Sequence, residues 1–249
     1  MIICLRPQPD CDADVCALTA QGLQAVALPM LEIHYLPAPP DRLCHPDLSS
    51  HYQGLIITSK QAGRYLAAHA QDLPGLSAVP VWCVGSASAG IVRQAGFGIA
   101  GQARNGARDL AGRISRHAGG TKSAFLWLSG RDVHFDIRDC LSDAGISVDR
   151  IQIYQAEPLN RPQPAVSDRL SAGGQVGAMV FSARTFSQFE IWLSAHTDPA
   201  HKALITILAA SQALADLALA AGFQTRTADA PEKDALLRLC RDWSAQINS

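Results

Sequence analysis

The sequence predicts an α/β fold built on parallel sheets, from three observations. Short apolar runs of strand type alternate with stretches of helical periodicity. Glycine recurs just past the ends of those stretches. The whole pattern then returns at a spacing of 123 residues. Strands alternating with helices imply βαβ units, whose crossover connections favour parallel pairing.

The elements follow in order. Apolar runs of strand type stand at Ile2–Leu5, Leu55–Thr58, Val81–Val84, Phe125–Leu128, Ala178–Phe181 and Leu204–Ala209. Helical spacing shows in stretches such as Ile137, Cys140, Leu141 and Ala144. Four such stretches end in Gln21-Gly22-Leu23, Ala95-Gly96-Phe97, Ala144-Gly145-Ile146 and Ala221-Gly222-Phe223. Glycine there suits the left-handed residue that ends a helix before the chain enters a strand.

Five landmarks keep register. Leu5 pairs with Leu128, Gly22 with Gly145 and Ser59 with Ser182, each 123 residues apart; Gly96 with Gly222 and Leu110 with Leu236 are 126 apart. That is an internal duplication. Each repeat holds a βαβ part, ending near Ile33 or Tyr154, and a βαβα part opening at Gly54 or Gly177. Proline-bearing segments at Leu36–Pro40 and Glu157–Pro162 mark two crossings. Two crossings favour a discontinuous outer domain around an inserted one, with equivalent turns of both halves facing one cleft.

Composition narrows the function. The 249 residues are 48% hydrophobic and 17% charged, with a net charge of −1. No basic patch speaks for a nucleic-acid partner. No run approaches the ~20 apolar residues of a membrane span, and Met1–Leu5 is too short for a secretory signal. A cytoplasmic protein is expected. The seven cysteines are spread without a Cys-x-x-Cys pair, which reads as reduced thiols and no metal. No glycine-rich dinucleotide or P-loop motif follows a strand.

Ligands of parallel sheets gather at strand C-terminal ends, where helix N-termini expose amides to anions. The turns there read Leu5-Arg6-Pro7, Thr58-Ser59-Lys60-Gln61, Val84-Gly85-Ser86-Ala87-Ser88, Leu128-Ser129-Gly130-Arg131, Phe181-Ser182-Ala183-Arg184 and Ala209-Ala210-Ser211-Gln212. A helix cap accounts for any one serine; their repetition at equivalent turns favours a shared ligand. Arg6 is either an anion contact or half of a structural ion pair. Tyr154, at a strand end beside a crossing, is either a half-buried anchor or a donor in a cleft.

Taken together, six short motifs resemble those of the uroporphyrinogen-III synthase family. They are Leu5-Arg6-Pro7, Pro29-Met30-Leu31-Glu32-Ile33, Ile57-Thr58-Ser59-Lys60-Gln61-Ala62, Val84-Gly85-Ser86-Ala87-Ser88-Ala89, Ile153-Tyr154 and Val180-Phe181-Ser182. Ser88 replaces the usual threonine, and Ala209–Gln212 departs from the frequent Gly-Pro-Thr-Thr turn while keeping a hydroxyl at Ser211.

The resemblance implies two flavodoxin-like parallel-sheet domains joined by a two-stranded connector, the first domain discontinuous. The outer domain would take residues 1–35 and 159–249, the inserted one 38–153, and the connector 36–37 and 154–158. It also implies cyclisation of hydroxymethylbilane to uroporphyrinogen III with inversion of the last ring and loss of water, without a cofactor or metal. Tyr154 is then the candidate acid or orienting donor. Arg6, Ser59, Lys60, Gly85, Ser86, Ser88, Gly130, Arg131, Ser182, Ala183 and Ser211 are candidate substrate contacts. A monomer is expected, with hydroxymethylbilane synthase as pathway neighbour. The alternatives are a non-catalytic two-domain protein binding a small anion or tetrapyrrole, and a paralogue with scaffold or regulatory duties.

Overall fold

The structure, a computed structural model, describes residues 1–118 and 123–247. In chain order the elements are β1 (Ile2–Cys4), α1 (Asp10–Thr19), β2 (Ala25–Ala27), β3 (Leu31–Tyr35), α2 (Leu48–His51), β4 (Gly54–Ile57) and α3 (Lys60–Ala68). Next come β5 (Val81–Val84), α4 (Ser86–Gln94), β6 (Ile99–Ala103), α5 (Gly106–His117), β7 (Ser123–Gly130), α6 (Ile137–Ser142) and β8 (Ile146–Pro158). The last are α7 (Pro164–Ser171), β9 (Val176–Val180), α8 (Ala183–His196), β10 (Ile205–Ala209), α9 (Gln212–Ala220), β11 (Gln224–Thr227) and α10 (Lys233–Ile247).

The chain divides into two compact units. One comprises Met1–Ile33 with Glu157–Ser249, the other His34–Ala156. The outer unit carries the sheet β11-β10-β9-β1-β2, and the inner unit the order β8-β7-β4-β5-β6, with β3 beside β8. Strands pair in parallel through both sheets. The β3–β8 pair differs. Leu36 N donates to Ile153 O and Leu159 N to Met30 O, both at 2.9 Å. Partner numbers fall as strand numbers rise, so this pair is antiparallel.

The duplicated strands occupy matching places. β1 and β7 hold one position, β9 and β4 the next, β10 and β5 the third. Each unit therefore combines the βαβ part of one repeat with the βαβα part of the other. The helix ends are as the sequence implies: Gly22, Gly96, Gly145 and Gly222 have φ of 77°, 91°, 74° and 83°. The amide after each of three of these glycines reaches back five residues, as in Phe97 N to Val92 O at 3.2 Å. Gly173, after α7, does the same with φ 74°. It was missed because no apolar residue follows it.

Each sheet is covered on both faces. In the outer unit, Ile3, Val180 and Ile207 pack with Phe186, Phe189 and Trp192 of α8, while Ile2, Met179 and Leu208 pack with Trp243 of α10 on the other face. In the inner unit, Leu126, Leu128, Ile151 and Ile153 share one face with Ala62, Tyr65 and Leu66 of α3. Phe125, Trp127 and Ile146 share the other with Leu110 and Ile114 of α5. A buried side chain of this size contributes about 1.5–3 kcal/mol, and the continuous apolar runs are what a doubly covered parallel sheet requires.

All seven cysteines are free thiols. Burial raises Cys11 and Cys83 to about 12, and pushes Cys4 and Cys240 up as well. These thiols act as small hydrophobes. No described helix is long and apolar enough to cross a membrane.

Candidate active site

The inner unit brings three candidates together at one strand edge. Ser59, extended at φ −143° and ψ 153°, is the N-cap of α3, and its hydroxyl accepts from Ala62 N at 3.1 Å. Tyr154 Oη donates to the same hydroxyl at 3.0 Å, across 95 residues of sequence. Gly130, the last residue of β7, pairs with Tyr154 in the sheet register, and β7 lies directly between β8 and β4. Tyr35 stands over this group. Its ring centroid is 6.2 Å from that of Tyr154, and its hydroxyl donates to Gln61 Oε1 at 2.5 Å. Arg64 Nη1 donates to the same Gln61 oxygen at 3.1 Å. Tyr35 and Gln61 were not singled out in the sequence, because an exposed tyrosine on a short strand gives no motif.

Beside this group, the N-cap of α4 is Gly85, with φ 79° and ψ 150°, a conformation that favours glycine. Ser86 opens that helix and is exposed. Ser88, in the first turn of the same helix, is buried at 3% exposure. Lys60 is the first residue of α3.

The Ser129-Gly130-Arg131 turn corrects the expectation. It does not open a helix: α6 begins only at Ile137, capped by Asp136, whose carboxylate accepts from Arg138 N at 3.0 Å. The Arg138 guanidinium holds the Asp136 carboxyl below the usual carboxylate range. The turn's own groups are taken up locally. Arg131 N donates to Tyr154 O at 2.8 Å, and Arg150 donates to Ser129 Oγ, Gly130 O and Arg131 O at 2.8, 2.7 and 2.8 Å. Arg131 Nη1 donates to Gln155 Oε1 at 3.0 Å. Tyr154 does not end its strand, because β8 continues to Pro158 through pairing with β3.

The outer unit has its own edge. Ser182 caps α8, accepting from Thr185 N at 3.2 Å, and its hydroxyl lies 2.8 Å from Thr185 Oγ1. Ala183 is the first residue of that helix, and Ser211 is the N-cap of α9 without a side-chain capping bond. Arg6 is committed to the protein. Nε and Nη2 each reach a different oxygen of Asp14 at 2.8 Å, and the guanidinium lies 4.5 Å from the Phe181 ring centroid. Asp14 is 1% exposed and also meets Lys233 at 3.1 Å. Desolvating that carboxylate demands such partners, and Arg6 supplies one of them.

A concavity of about 230 Å³, lined by Leu193, Pro199, Lys202 and Phe223, lies at the far end of α8 from Ser182. It holds none of the candidates. Among the described residues, no three His, Cys, Asp or Glu side chains gather as a metal site requires.

Fold and edge chemistry define a class: α/β proteins with parallel-dominated sheets and hydroxyl-capped helix N-termini along the strand ends. The comparisons give the family. The sequence model described as Uroporphyrinogen-III synthase HemD matches residues 12–238. The chain belongs to the uroporphyrinogen-III synthase family, lyases of porphyrin biosynthesis. No curated protein matches it significantly. Among solved structures, the uroporphyrinogen-III synthetase of Helicobacter pylori shares the fold with a TM-score of 0.62 at 16% identity, over 88% of this chain and 93% of that one. A mutant uroporphyrinogen III synthase of Thermus thermophilus does so with a TM-score of 0.62 at 15% identity, over 100% of this chain and 99% of that one.

Proposed function

We propose that this chain cyclises hydroxymethylbilane to uroporphyrinogen III, with Tyr154 as the proton donor to the departing hydroxyl. The observation behind the assignment is the hydrogen bond from Tyr154 Oη to Ser59 Oγ at the N-cap of α3. A phenol that gives up its proton leaves negative charge on its oxygen, and the N-terminus of a helix favours that charge. Ser59 fixes where the oxygen sits.

In this reading the hydroxymethyl oxygen takes the Tyr154 proton and leaves as water. The pyrrole nitrogen lone pair fills the vacated position, giving an azafulvene. The substituted carbon of the last ring attacks it, and the spirocyclic product fragments and recloses with that ring inverted. Loss of the ring proton restores aromaticity and returns a proton to the phenolate, so the balance is one water lost. Holding the linear substrate curled supplies most of the selectivity.

Substrate carboxylates are taken by first-turn amides, which have no acceptor within their own helix. Those of α3 at Lys60, α4 at Ser86, α8 at Ala183 and α9 after Ser211 are the candidates. The domains are flavodoxin-like, the outer one discontinuous, and the chain acts as a monomer; the two compact units and their strand orders support the first part of this.

The test is to supply hydroxymethylbilane and resolve the isomers. Type III product in excess of the spontaneous type I ring supports the proposal. Tight binding of the bilane with type I product alone would establish the non-catalytic alternative.

A further inference from the structure

We propose that Gly130, together with a one-residue bulge at Ile153, is a positioning device that aims Tyr154 at Ser59; this rests on the assignment of Tyr154 made above. Two observations support it independently.

The first is the register. β7 and β8 pair residue for residue through Ser129 and Gln152, and then Gly130 pairs with Tyr154, skipping Ile153. Side chains of a regular strand alternate, so even-numbered residues of β8 should share the face of Ile146 and Val148. Those two pack on the α5 side of the sheet. Tyr154 instead packs with Ile151 and Ile153 on the α3 side. An extra residue in one strand produces that reversal, and bulges commonly re-aim a side chain. Without the skip, the phenol would face away from Ser59.

The second is the missing side chain. Once turned to the α3 side, the Tyr154 ring must cross β7 to reach β4's end. A Cβ at residue 130 would lie 2.6 Å from Tyr154 Cζ, 2.8 Å from Cε2 and 2.9 Å from Oη. Such a contact forces movement, and the backbone is poorly placed to yield. Arg150 grips the carbonyls of Gly130 and Arg131, and Arg131 N is bonded to Tyr154 O. Arg150 is itself set over the Trp127 ring at 5.2 Å. The ring would have to leave, and the Ser59 hydrogen bond would go with it. Gly130 therefore acts through Tyr154 and not as a substrate contact.

The experiment compares Gly130→Ala, Tyr154→Phe and the double variant in type III synthesis. Gly130→Ala is expected to lower kcat to within about threefold of the Tyr154→Phe value, itself on the order of 10²-fold below wild type. KM should stay within about twofold, and adding Gly130→Ala to Tyr154→Phe should cost nothing further. Wild-type kcat in Gly130→Ala overturns the proposal. So does a loss that multiplies onto that of Tyr154→Phe, which would mark Gly130 as a separate substrate contact. Wild-type kcat in Tyr154→Phe instead removes the underlying assignment, and is distinguishable because it appears in that variant alone. Should Gly130→Ala fold poorly, Gly130→Ala/Tyr154→Ala decides. Recovery of the thermal midpoint toward that of Tyr154→Ala supports a clash confined to the ring, and no recovery refutes it.

Discussion

Ser59 and Ser182 are the same residue of the duplicated unit, 123 positions apart, and both cap a helix at the end of a buried strand. Their backbones nearly superpose, at φ −143° and ψ 153° against φ −149° and ψ 149°. Each hydroxyl accepts from the amide three residues on, at 3.1 and 3.2 Å. They part in the hydroxyl's second partner. For Ser59 it is Tyr154, brought from β8; for Ser182 it is Thr185, one turn away. The positions 123 before Gly130 and Tyr154 are Pro7 and Leu31, so the outer edge has neither the phenol nor the bare glycine. Duplication preserved the two serine caps, while the tyrosine beside the cap belongs to one copy.

The sharpest break in this comparison is Tyr154→Phe. Type III synthesis should fall on the order of 10²-fold, as for loss of a general acid, with little change in thermal midpoint. Equal turnover of the variant and wild type would make the two edges chemically equivalent. Arg6→Ala tests the outer edge. It strips a bidentate partner from buried Asp14, and should cost about 3 kcal/mol in chemical denaturation with KM unchanged. A raised KM at unaltered stability would return Arg6 to the substrate.

Smaller effects separate the twin caps. Ser59→Ala and Ser182→Ala should each lose about 1 kcal/mol of stability. Ser59→Ala should also lower kcat severalfold because it frees the phenol, whereas Ser182→Ala should express any kinetic effect in KM. A kcat defect of the same size in both would erase the distinction.

The effect that is smallest near neutral pH is common to both units. Burial raises Cys11 in the outer unit and Cys83 in the inner one to about 12, from 9.0. Folding then keeps protons that the unfolded chain releases, so stability contributed below pH 9 is lost as pH rises toward about 12. Denaturation midpoints should decline through that window. Replacing Cys11 or Cys83 with alanine should flatten the decline, and an unchanged slope would rule the thiols out as its source.

Much of this was legible in the chain. Strand runs, helix-ending glycines and the serine caps are local properties, set by side-chain branching, backbone freedom and hydrogen bonding within a few residues. Gly130, Ser59 and Tyr154 were visible as candidates, but not as a trio. Arg6 was left open, because nothing nearby in sequence says that Asp14 would be buried beside Lys233. The burial of Ser88 is not legible for a similar reason: a hydroxyl two residues into a helix faces inward or outward according to how that helix packs.

The sequence by itself determined the alternation of strands and helices, the duplication and the family, since each is written in spacing and short-range pattern. Tertiary structure alone decided that β8 runs on past Tyr154, that it skips Ile153 against β7, and that the phenol crosses a glycine to a serine 95 residues away. Register between strands depends on the packing of both faces and on pairing partners remote in the chain. One skipped residue reverses which side a tyrosine faces, and no local propensity records it.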